Sequence, residues 1–156
     1  MSKPVRLVLL GLALLGAAFV AIQLVPVWLL QANPPVVSEP KWDSPATRAL
    51  AQRACFDCHS NETTWPLYAR IAPVSWLVTL DVVRGRRALN FSEWGVARGG
   101  EIGEEGEGFE RGDDEFAELI ASGEMPPASY LLTHPNARLT EAEKQQLIDG
   151  LGASLK

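Results

Sequence analysis

The chain has few of the residue types from which metal and redox centres are usually built. Its 156 residues include only two cysteines, two histidines and two methionines. Two thiols cannot complete a four-cysteine zinc site, which excludes a structural zinc centre of that kind. The small number of sulfur and imidazole side chains also leaves few residues that are eligible as ligands of any one metal.

Basic residues are also scarce relative to acidic ones, with 14 against 19 and a net charge of −5. Two of the basic residues, Lys3 and Arg6, precede an apolar N-terminal run, so only 12 face the 19 acidic residues beyond it, a net charge of −7. Such a surface disfavours nucleic acid and suits a basic protein partner. We therefore expect no nucleic-acid binding.

The two cysteines stand three positions apart and are followed at once by a histidine, in Cys55-Phe56-Asp57-Cys58-His59. This C-x-x-C-H pattern is the attachment signature of a covalently held c-type haem. Thiols at this spacing add to two vinyl groups on one porphyrin edge, and the next imidazole then lies under the ring to ligate the iron. A thiol–disulfide oxidoreductase using Cys55 and Cys58 is the alternative, but the βαβ context of a thioredoxin-like site is missing. We predict one haem c per chain, held by Cys55, Cys58 and His59.

The N-terminal run extends from Leu7 to Leu30, 24 residues without a charge, interrupted only by Gln23 and Pro26. As a helix it would rise roughly 36 Å, which is enough to cross a bilayer core of about 30 Å. Lys3 and Arg6 in front of it place the N-terminus in the cytoplasm by the positive-inside rule. The rest of the chain is then expected outside, in the periplasm or extracytoplasmic space.

We interpret this run as an uncleaved, single-pass anchor in the inner (cytoplasmic) membrane. A cleaved signal peptide is the alternative, with Gly16-Ala17-Ala18 as its cleavage region, although the apolar stretch continues well beyond it. The chain thus divides into three predicted parts: an anchor over residues 1–32, a proline-rich tether over 33–41 and an exported haem domain over 42–156.

The exported domain shows four helical patterns and no convincing strand, which predicts an all-α fold. The first helix has Ser44 as its N-cap and leads into Cys55, with Ala46, Ala49, Leu50 and Ala54 on one face. The others are expected from Pro73 to about Leu89, from Asp113 to Ser122, and behind the capping box Thr140-Glu141-Ala142-Glu143. The second helix is apolar nearly all round in its first half, so we expect it to be buried or to face the haem. Residues 99–115 are rich in Gly and Glu, and we interpret them as a mobile acidic loop.

The iron needs a second axial ligand, and the sequence offers two candidates. Met125 stands in Gly123-Glu124-Met125-Pro126-Pro127, where the two prolines stiffen the loop and hold a thioether in one direction. His134 is the runner-up. Ligation by His59 and Met125 would raise the reduction potential relative to two imidazoles and close the iron to small molecules.

The order of C-x-x-C-H, Met-Pro-Pro loop and final helix resembles a class I c-type cytochrome. More narrowly, the chain is similar to the bacterial haem-binding domain family of membrane-anchored monohaem proteins. The stretches that carry the resemblance cover most of the chain from Trp42 onward: 55–63, Trp65-Pro66, 71–76, 89–94, 123–127 and His134-Pro135. The resemblance implies covalent haem and an extracytoplasmic site. The Gly/Glu-rich region from Gly99 to Gly112 departs from the family pattern.

These features together favour an electron carrier over an enzyme. The expected function is single-electron transfer through a His/Met-ligated haem, with redox proteins as partners. A haem-based gas or redox sensor with a labile sixth ligand is the alternative, and weak peroxidase activity at an open iron is a further one. Side chains that would tune the haem by packing or by neutralising its propionates are Trp65, Tyr68, Trp76, Trp94, Arg70, Arg84, Arg86 and Arg87.

Overall fold

The computed structural model describes residues 2–95 and 113–154. Within these ranges the chain is helical and has no β-strand, only an isolated parallel bridge between Ser38 and Glu93. The α-helices found there are α1 (Lys3–Gln23), α2 (Pro45–Ala54), α3 (Phe56–His59), α4 (Val74–Ala88), α5 (Asp113–Ser122), α6 (Ala128–Thr133) and α7 (Glu141–Ser154). Three 3-10 helices separate some of them: Val27–Leu30, Leu67–Arg70 and Pro135–Ala137. The predicted all-α class is confirmed, whereas the predicted acidic loop lies, apart from its last three residues, outside the described residues.

Helix α1 is a single apolar helix of 21 residues, long and apolar enough to span a membrane. Its length corresponds to about 32 Å, close to the thickness of a bilayer core. None of its residues is buried against the rest of the chain. The helix ends at Gln23 because Pro26 has no N–H to continue the ladder and disfavours helical geometry before it. The apolar residues Val27–Leu30 therefore form a separate 3-10 turn rather than a continuation of the helix.

Helix α2 begins as its sequence indicates. The Ser44 Oγ accepts a hydrogen bond from the Thr47 N–H at 3.2 Å, and Pro45 occupies the first helical position. On the predicted face, Leu50 and Ala54 are buried, whereas Ala46 and Ala49 are exposed. The buried residues of α2 are, at helical spacing, Thr47, Leu50, Ala51 and Ala54.

Helix α7 starts with the predicted capping box. The Glu143 N–H donates to the Thr140 hydroxyl at 3.2 Å, and the Glu143 carboxylate accepts from the Thr140 N–H at 2.8 Å. Further along, Gly150 lies so close to α2 that a Cβ there would overlap the side chain of Thr47. Helices α2 and α7 therefore cross in close contact, and this contact holds the start and the end of the domain together.

Helix α5 ends where a glycine permits it. Gly123 has φ of +79°, a left-handed conformation that ends the helix and that glycine adopts without steric cost. Ile120 on its predicted apolar face is buried, and Phe116 packs against the core. The short helix α6 and the 3-10 helix after it were not predicted, because they lie in a stretch interrupted by prolines on both sides.

The core lies directly beneath the C-x-x-C-H motif. Phe56, the residue after the first cysteine, is 2 % exposed and packs on Phe91 with 5.6 Å between ring centroids. Trp42 closes the cluster at 5.3 Å from Phe91, and Leu147 of α7 is fully buried. Each such side chain contributes about 1.5–3 kcal/mol on burial. The motif is thus fixed to the best-packed part of the domain by one of its own residues.

The proline-rich segment before α2 is extended and is hydrogen-bonded along the domain. The Val37 N–H donates to the Ser92 carbonyl at 2.8 Å, and the Trp94 N–H donates to the Ser38 carbonyl at 2.9 Å. The Asn61 amide adds a bond to the carbonyl of Pro35 at 3.0 Å. These bonds hold the segment that follows the apolar helix against the haem-signature side of the domain.

Candidate functional site

The C-x-x-C-H residues occupy one tight turn at the junction of α2 and α3. Cys55 caps α2, and its N–H donates to the Ala51 carbonyl at 2.8 Å. Its own carbonyl then accepts from the N–H groups of Cys58 at 3.1 Å and His59 at 2.9 Å. Side chains three positions apart on such a turn lie on the same face, so the two thiols are neighbours. The backbone therefore presents both sulfurs and the imidazole to one region of the structure.

The two thiols are free and are held in their neutral form. They are not joined by a disulfide. Burial is the main cause that raises the pKa of Cys55 to about 12, and the nearby Cys58 thiol adds to the effect. Burial likewise raises the pKa of Cys58 to about 11, with Asp57 and Asp81 nearby. Thiol–disulfide exchange needs a thiolate with a lowered pKa, so this environment disfavours that chemistry and keeps two S–H groups intact.

His59 is oriented by the backbone carbonyl of Leu89, the residue that follows α4. Its Nδ1–H donates to the Leu89 carbonyl at 3.2 Å, which assigns the proton to Nδ1 and leaves the lone pair on Nε2. Burial lowers the pKa of His59, and contacts with the carbonyls of Leu89 and Gly85 oppose this in part. The ring is therefore neutral at physiological pH, which is the form that ligates a metal. A carbonyl behind the ligating ring is the common way in which proteins fix such an imidazole.

Helix α4 approaches the motif as closely as two backbones permit. A Cβ at Gly85 would overlap the carbonyl of Cys58. Glycine is thus required at this position for α4 to lie against α3 and to bring Leu89 to His59. This close contact is part of the site's construction and was not recognised from the sequence.

One face of α4 leads away from the cysteines and is apolar but exposed. Asp81 lies near enough to Cys58 to affect its pKa. Leu77 and Val74 precede it at helical spacing, and they are 63 % and 42 % exposed. The buried residues of α4 are instead Ser75, Thr79 and Val82. Helix α4 therefore exposes two apolar side chains in the turns that precede Asp81, the residue whose charge reaches Cys58.

Asp57, between the cysteines, ties the motif to the segment that contains Met125. Its carboxylate accepts a hydrogen bond from the Tyr130 hydroxyl at 2.8 Å and another from the Thr64 N–H at 2.8 Å. Burial and the bond to this carboxylate raise the pKa of Tyr130, so the phenol remains a donor. Tyr130 lies on α6, which starts just after the Met-Pro-Pro loop. The bond therefore docks that loop's C-terminal end onto the motif.

His134 belongs to the same network. Its ring stacks on that of Tyr130 with 4.0 Å between centroids and 11° between planes. Its Nε2 lies 4.0 Å from the Asp57 carboxylate. His134 is thus half-buried and contacts Tyr130 and Asp57. It lies beside the C-x-x-C-H motif and packs against the bond between these two residues.

Met125 is half-buried and is fixed from both sides. Its N–H donates to the Leu119 carbonyl at 3.0 Å, which ties it to the end of α5. After it, Pro127 leads into α6, and Tyr130 carries that helix to Asp57. Met125 thus lies on a short connection between α5 and α6, and its role as a ligand stays a prediction.

The candidate tuning aromatics have mixed roles. The Trp65 indole N–H donates to the Asn33 side chain at 3.1 Å, and the Tyr68 hydroxyl shares a hydrogen bond with Thr133 at 2.9 Å. Trp94 packs on the core cluster. Trp76 has a buried indole nitrogen that meets no hydrogen-bond acceptor in the part of the chain that the structure describes.

The candidate arginines are mostly at the surface. Arg70, Arg84 and Arg87 are exposed. Arg86 is half-buried, and it donates to the carbonyls of Ser60 and Ala32, both at 2.8 Å. It therefore braces the loop after the motif against the segment that follows the apolar helix.

Comparison with known proteins gives a family match for this chain. In residues 2–95 and 113–154, no group of three or more His, Cys, Asp or Glu side chains is arranged to hold a bare metal ion. No curated relative and no solved structure shows significant similarity to the chain. The model of a protein family described as "Haem-binding domain" matches residues 17–153, which is most of the chain. The chain therefore belongs to the haem-binding domain family.

Proposed function

We propose that this protein is a membrane-anchored monohaem c-type cytochrome that transfers single electrons outside the cytoplasm. The observation that carries the proposal is the turn at the end of α2, where two neutral thiols and an oriented, neutral imidazole share one face. Membership of a haem-binding family supports the same assignment. The covalent linkage, the axial pair and the cellular location are the parts that experiment must test.

Cys55 and Cys58 would hold the haem through thioether bonds. Each S–H adds across a vinyl C=C bond, so that sulfur bonds to one carbon and hydrogen to the other. The addition has no leaving group and needs no oxidant. Thiols that are free and protonated, as the raised pKa values of Cys55 and Cys58 indicate, are the reactants that this step requires.

His59 would supply one axial ligand through Nε2, and Met125 the other. When bound, the haem supplies a one-electron Fe(III)/Fe(II) couple whose potential depends on these ligands and on the polarity around them. Within this chain, Leu89 fixes the imidazole, while Tyr130 and Asp57 hold the Met125 connection against the motif. Because the chain would hold both ligands in place, they would move little when the charge of the iron changes.

Helix α1 would anchor the domain in the inner membrane, with Lys3 and Arg6 on the cytoplasmic side. The haem domain would then lie in the periplasm, where its net negative surface suits basic redox proteins. Its attachment is short and braced, because Arg86 bonds to Ala32 and Asn61 bonds to Pro35. A fixed attachment favours partners that reach the haem at the membrane surface.

The full chain should be produced in a bacterial host able to mature c-type cytochromes and extracted from its membranes. We expect haem staining of the denatured, reduced polypeptide on a gel, and no staining of a Cys55→Ala/Cys58→Ala variant. We also expect a reduced spectrum that carbon monoxide does not change, since both axial positions are filled. Ready binding of carbon monoxide would favour the sensor alternative, and an unstained polypeptide would exclude covalent haem.

A further inference from the structure

A cavity of about 370 Å³ lies between the end of the apolar helix α1 and the haem domain. Its volume lies within the range of about 300–1,000 Å³ that is usual for small-molecule sites. It is lined on one side by the last residue of α1 and residues that follow it, and on the other by residues around the 3-10 helix Leu67–Arg70. The lining residues that matter to its chemistry are Gln23, Gln31, Trp28, Trp65, Arg70 and Ser75.

Two glutamine side chains hold the walls of this cavity together. The Gln23 amide donates to the Ala72 carbonyl at 3.2 Å and accepts from the Ala72 N–H at 2.9 Å. The Gln31 amide donates to the Ala69 carbonyl at 2.6 Å and to the Thr79 hydroxyl at 2.9 Å. Four hydrogen bonds between segments about 40 to 50 residues apart in the chain make this a constructed junction. The donors of both amides are already used.

Arg70 is the cavity residue whose donors are available. It is exposed, and within the part of the chain that the structure describes it forms no hydrogen bond or ion pair. A guanidinium has five N–H donors and binds phosphate oxygens in a bidentate manner. Among the residues that the structure describes, the lining contains no Asp, Glu or His. The cavity therefore suits an anion. It does not suit a quinol, because oxidation of a quinol releases protons and none of these side chains would accept them.

The surroundings of Arg70 are apolar on both sides. Leu67 lies on the same edge of its 3-10 helix, three residues earlier, and is 79 % exposed. Val25 and Trp28, on the opposite side of the cavity, are also exposed. Because Val25 and Trp28 lie near the end of the apolar span Lys3–Leu30, the proposed anchor places these residues close to the membrane surface. A cation between exposed apolar side chains at this level matches a phosphate joined to acyl chains.

From this arrangement we propose that the cavity binds a membrane phospholipid, with Arg70 on the phosphodiester and the acyl chains along Leu67 and Trp28. The bound lipid fills the junction and fixes the haem domain against the bilayer. This inference rests on the proposed membrane anchor, and it adds to it a specific lipid site.

The test is native mass spectrometry of the full-length holoprotein, released from detergent micelles that contain phosphatidylglycerol. We expect one retained lipid per chain in the wild type and a loss of roughly tenfold or more in Arg70→Gln, as follows from losing a charge-assisted bond. Arg84→Gln is the matched control, because it removes the same charge from an exposed residue outside the cavity. Arg84→Gln should retain the lipid, and Arg70→Lys should restore part of the retention.

Equal lipid retention in Arg70→Gln and the wild type would overturn the proposal. Displacement of the lipid by millimolar inorganic phosphate, with a phosphate adduct in its place, would overturn the lipid assignment and make the cavity a site for the free anion. Haem content and membrane extraction are read on the same samples. A membrane-bound holoprotein without a specific lipid contradicts this inference alone, whereas a soluble or haem-free protein contradicts the proposed function.

Discussion

The bond between Tyr130 and Asp57 gives the sharpest prediction about how the site is held. Tyr130→Phe removes only the hydroxyl that donates to the Asp57 carboxylate at 2.8 Å. A hydrogen bond to a charged group contributes about 1.5–3 kcal/mol to stability. Both residues are half-buried and Asp57 keeps its bond to the Thr64 N–H, so we expect the low end of that range, about 1.5 kcal/mol.

Tyr68→Phe is the matched control for this prediction. It removes the same hydroxyl, but from a neutral hydrogen bond with Thr133 at 2.9 Å that is open to solvent. We expect it to lower the free energy of unfolding by about 0.5 kcal/mol. Urea unfolding of both holoprotein variants, followed by haem absorption and by far-ultraviolet circular dichroism, measures this difference.

A purely structural role for Tyr130 would change stability alone. If Tyr130 docks the Met125 connection onto the haem motif, Tyr130→Phe should also weaken the Fe–S charge-transfer absorption of the oxidised protein. It should in addition allow carbon monoxide to bind the reduced form, whereas Tyr68→Phe should change neither property. Equal behaviour of the two variants in both measurements would refute the docking role.

Three further predictions concern other parts of the site and of the domain. Gly85→Ala places a Cβ against a backbone carbonyl of α3 and should cost about 1–3 kcal/mol by urea unfolding, whereas Gly152→Ala, with open space around it, should stabilise α7 by up to about 1 kcal/mol. A Gly85→Ala holoprotein as stable as wild type would contradict this close packing. Met125→Ala should abolish the Fe–S charge-transfer absorption and lower the reduction potential, and survival of both would identify another ligand. The Arg48 guanidinium holds the pKa of Glu39 below its usual 4.5, so this stabilisation is present above about pH 4.5 and is lost as pH falls through the folded pKa. Glu39→Gln should therefore lower stability at pH 7 and have a smaller effect in acid, and a pH-independent difference would contradict it.

The parts of the fold that depend on neighbouring residues could be predicted from the sequence. Ser44 before Pro45, and Thr140 with Glu143, are local capping signals, and both form the expected hydrogen bonds. Gly123 ends α5 through its own positive φ. The position of the haem signature at the end of α2 follows from the same short-range pattern.

The parts that depend on tertiary contact could not be predicted. The pairing of Tyr130 with Asp57 joins residues 73 positions apart, and no local pattern indicates it. One local signal was available nearby: His134 follows Tyr130 by four residues, and side chains at this spacing lie together when the intervening turn is helical. No helix was predicted there, because prolines stand on both sides of the segment.

Helix α4 shows a different limit of sequence patterns. Its apolar residues predicted a helix that is buried or faces the haem. In the structure Ser75 and Thr79 are buried, while Leu77 is exposed. Thr79 is buried because Gln31, from the segment after α1, bonds to it. Leu77 is uncovered on the face that leads from Cys58, where the proposed cofactor would lie. Periodicity identifies which residues share a face, but it does not identify what covers that face.

The central claim is that one haem is joined to Cys55 and Cys58 by addition of both thiols. Its most direct test is the intact mass of the denatured polypeptide, purified from a host that matures c-type cytochromes. Because addition loses no atoms, the account predicts the mass of the chain plus that of one complete haem. A mass equal to the chain alone, or lower by two hydrogens as a disulfide between the cysteines would make it, would contradict the account.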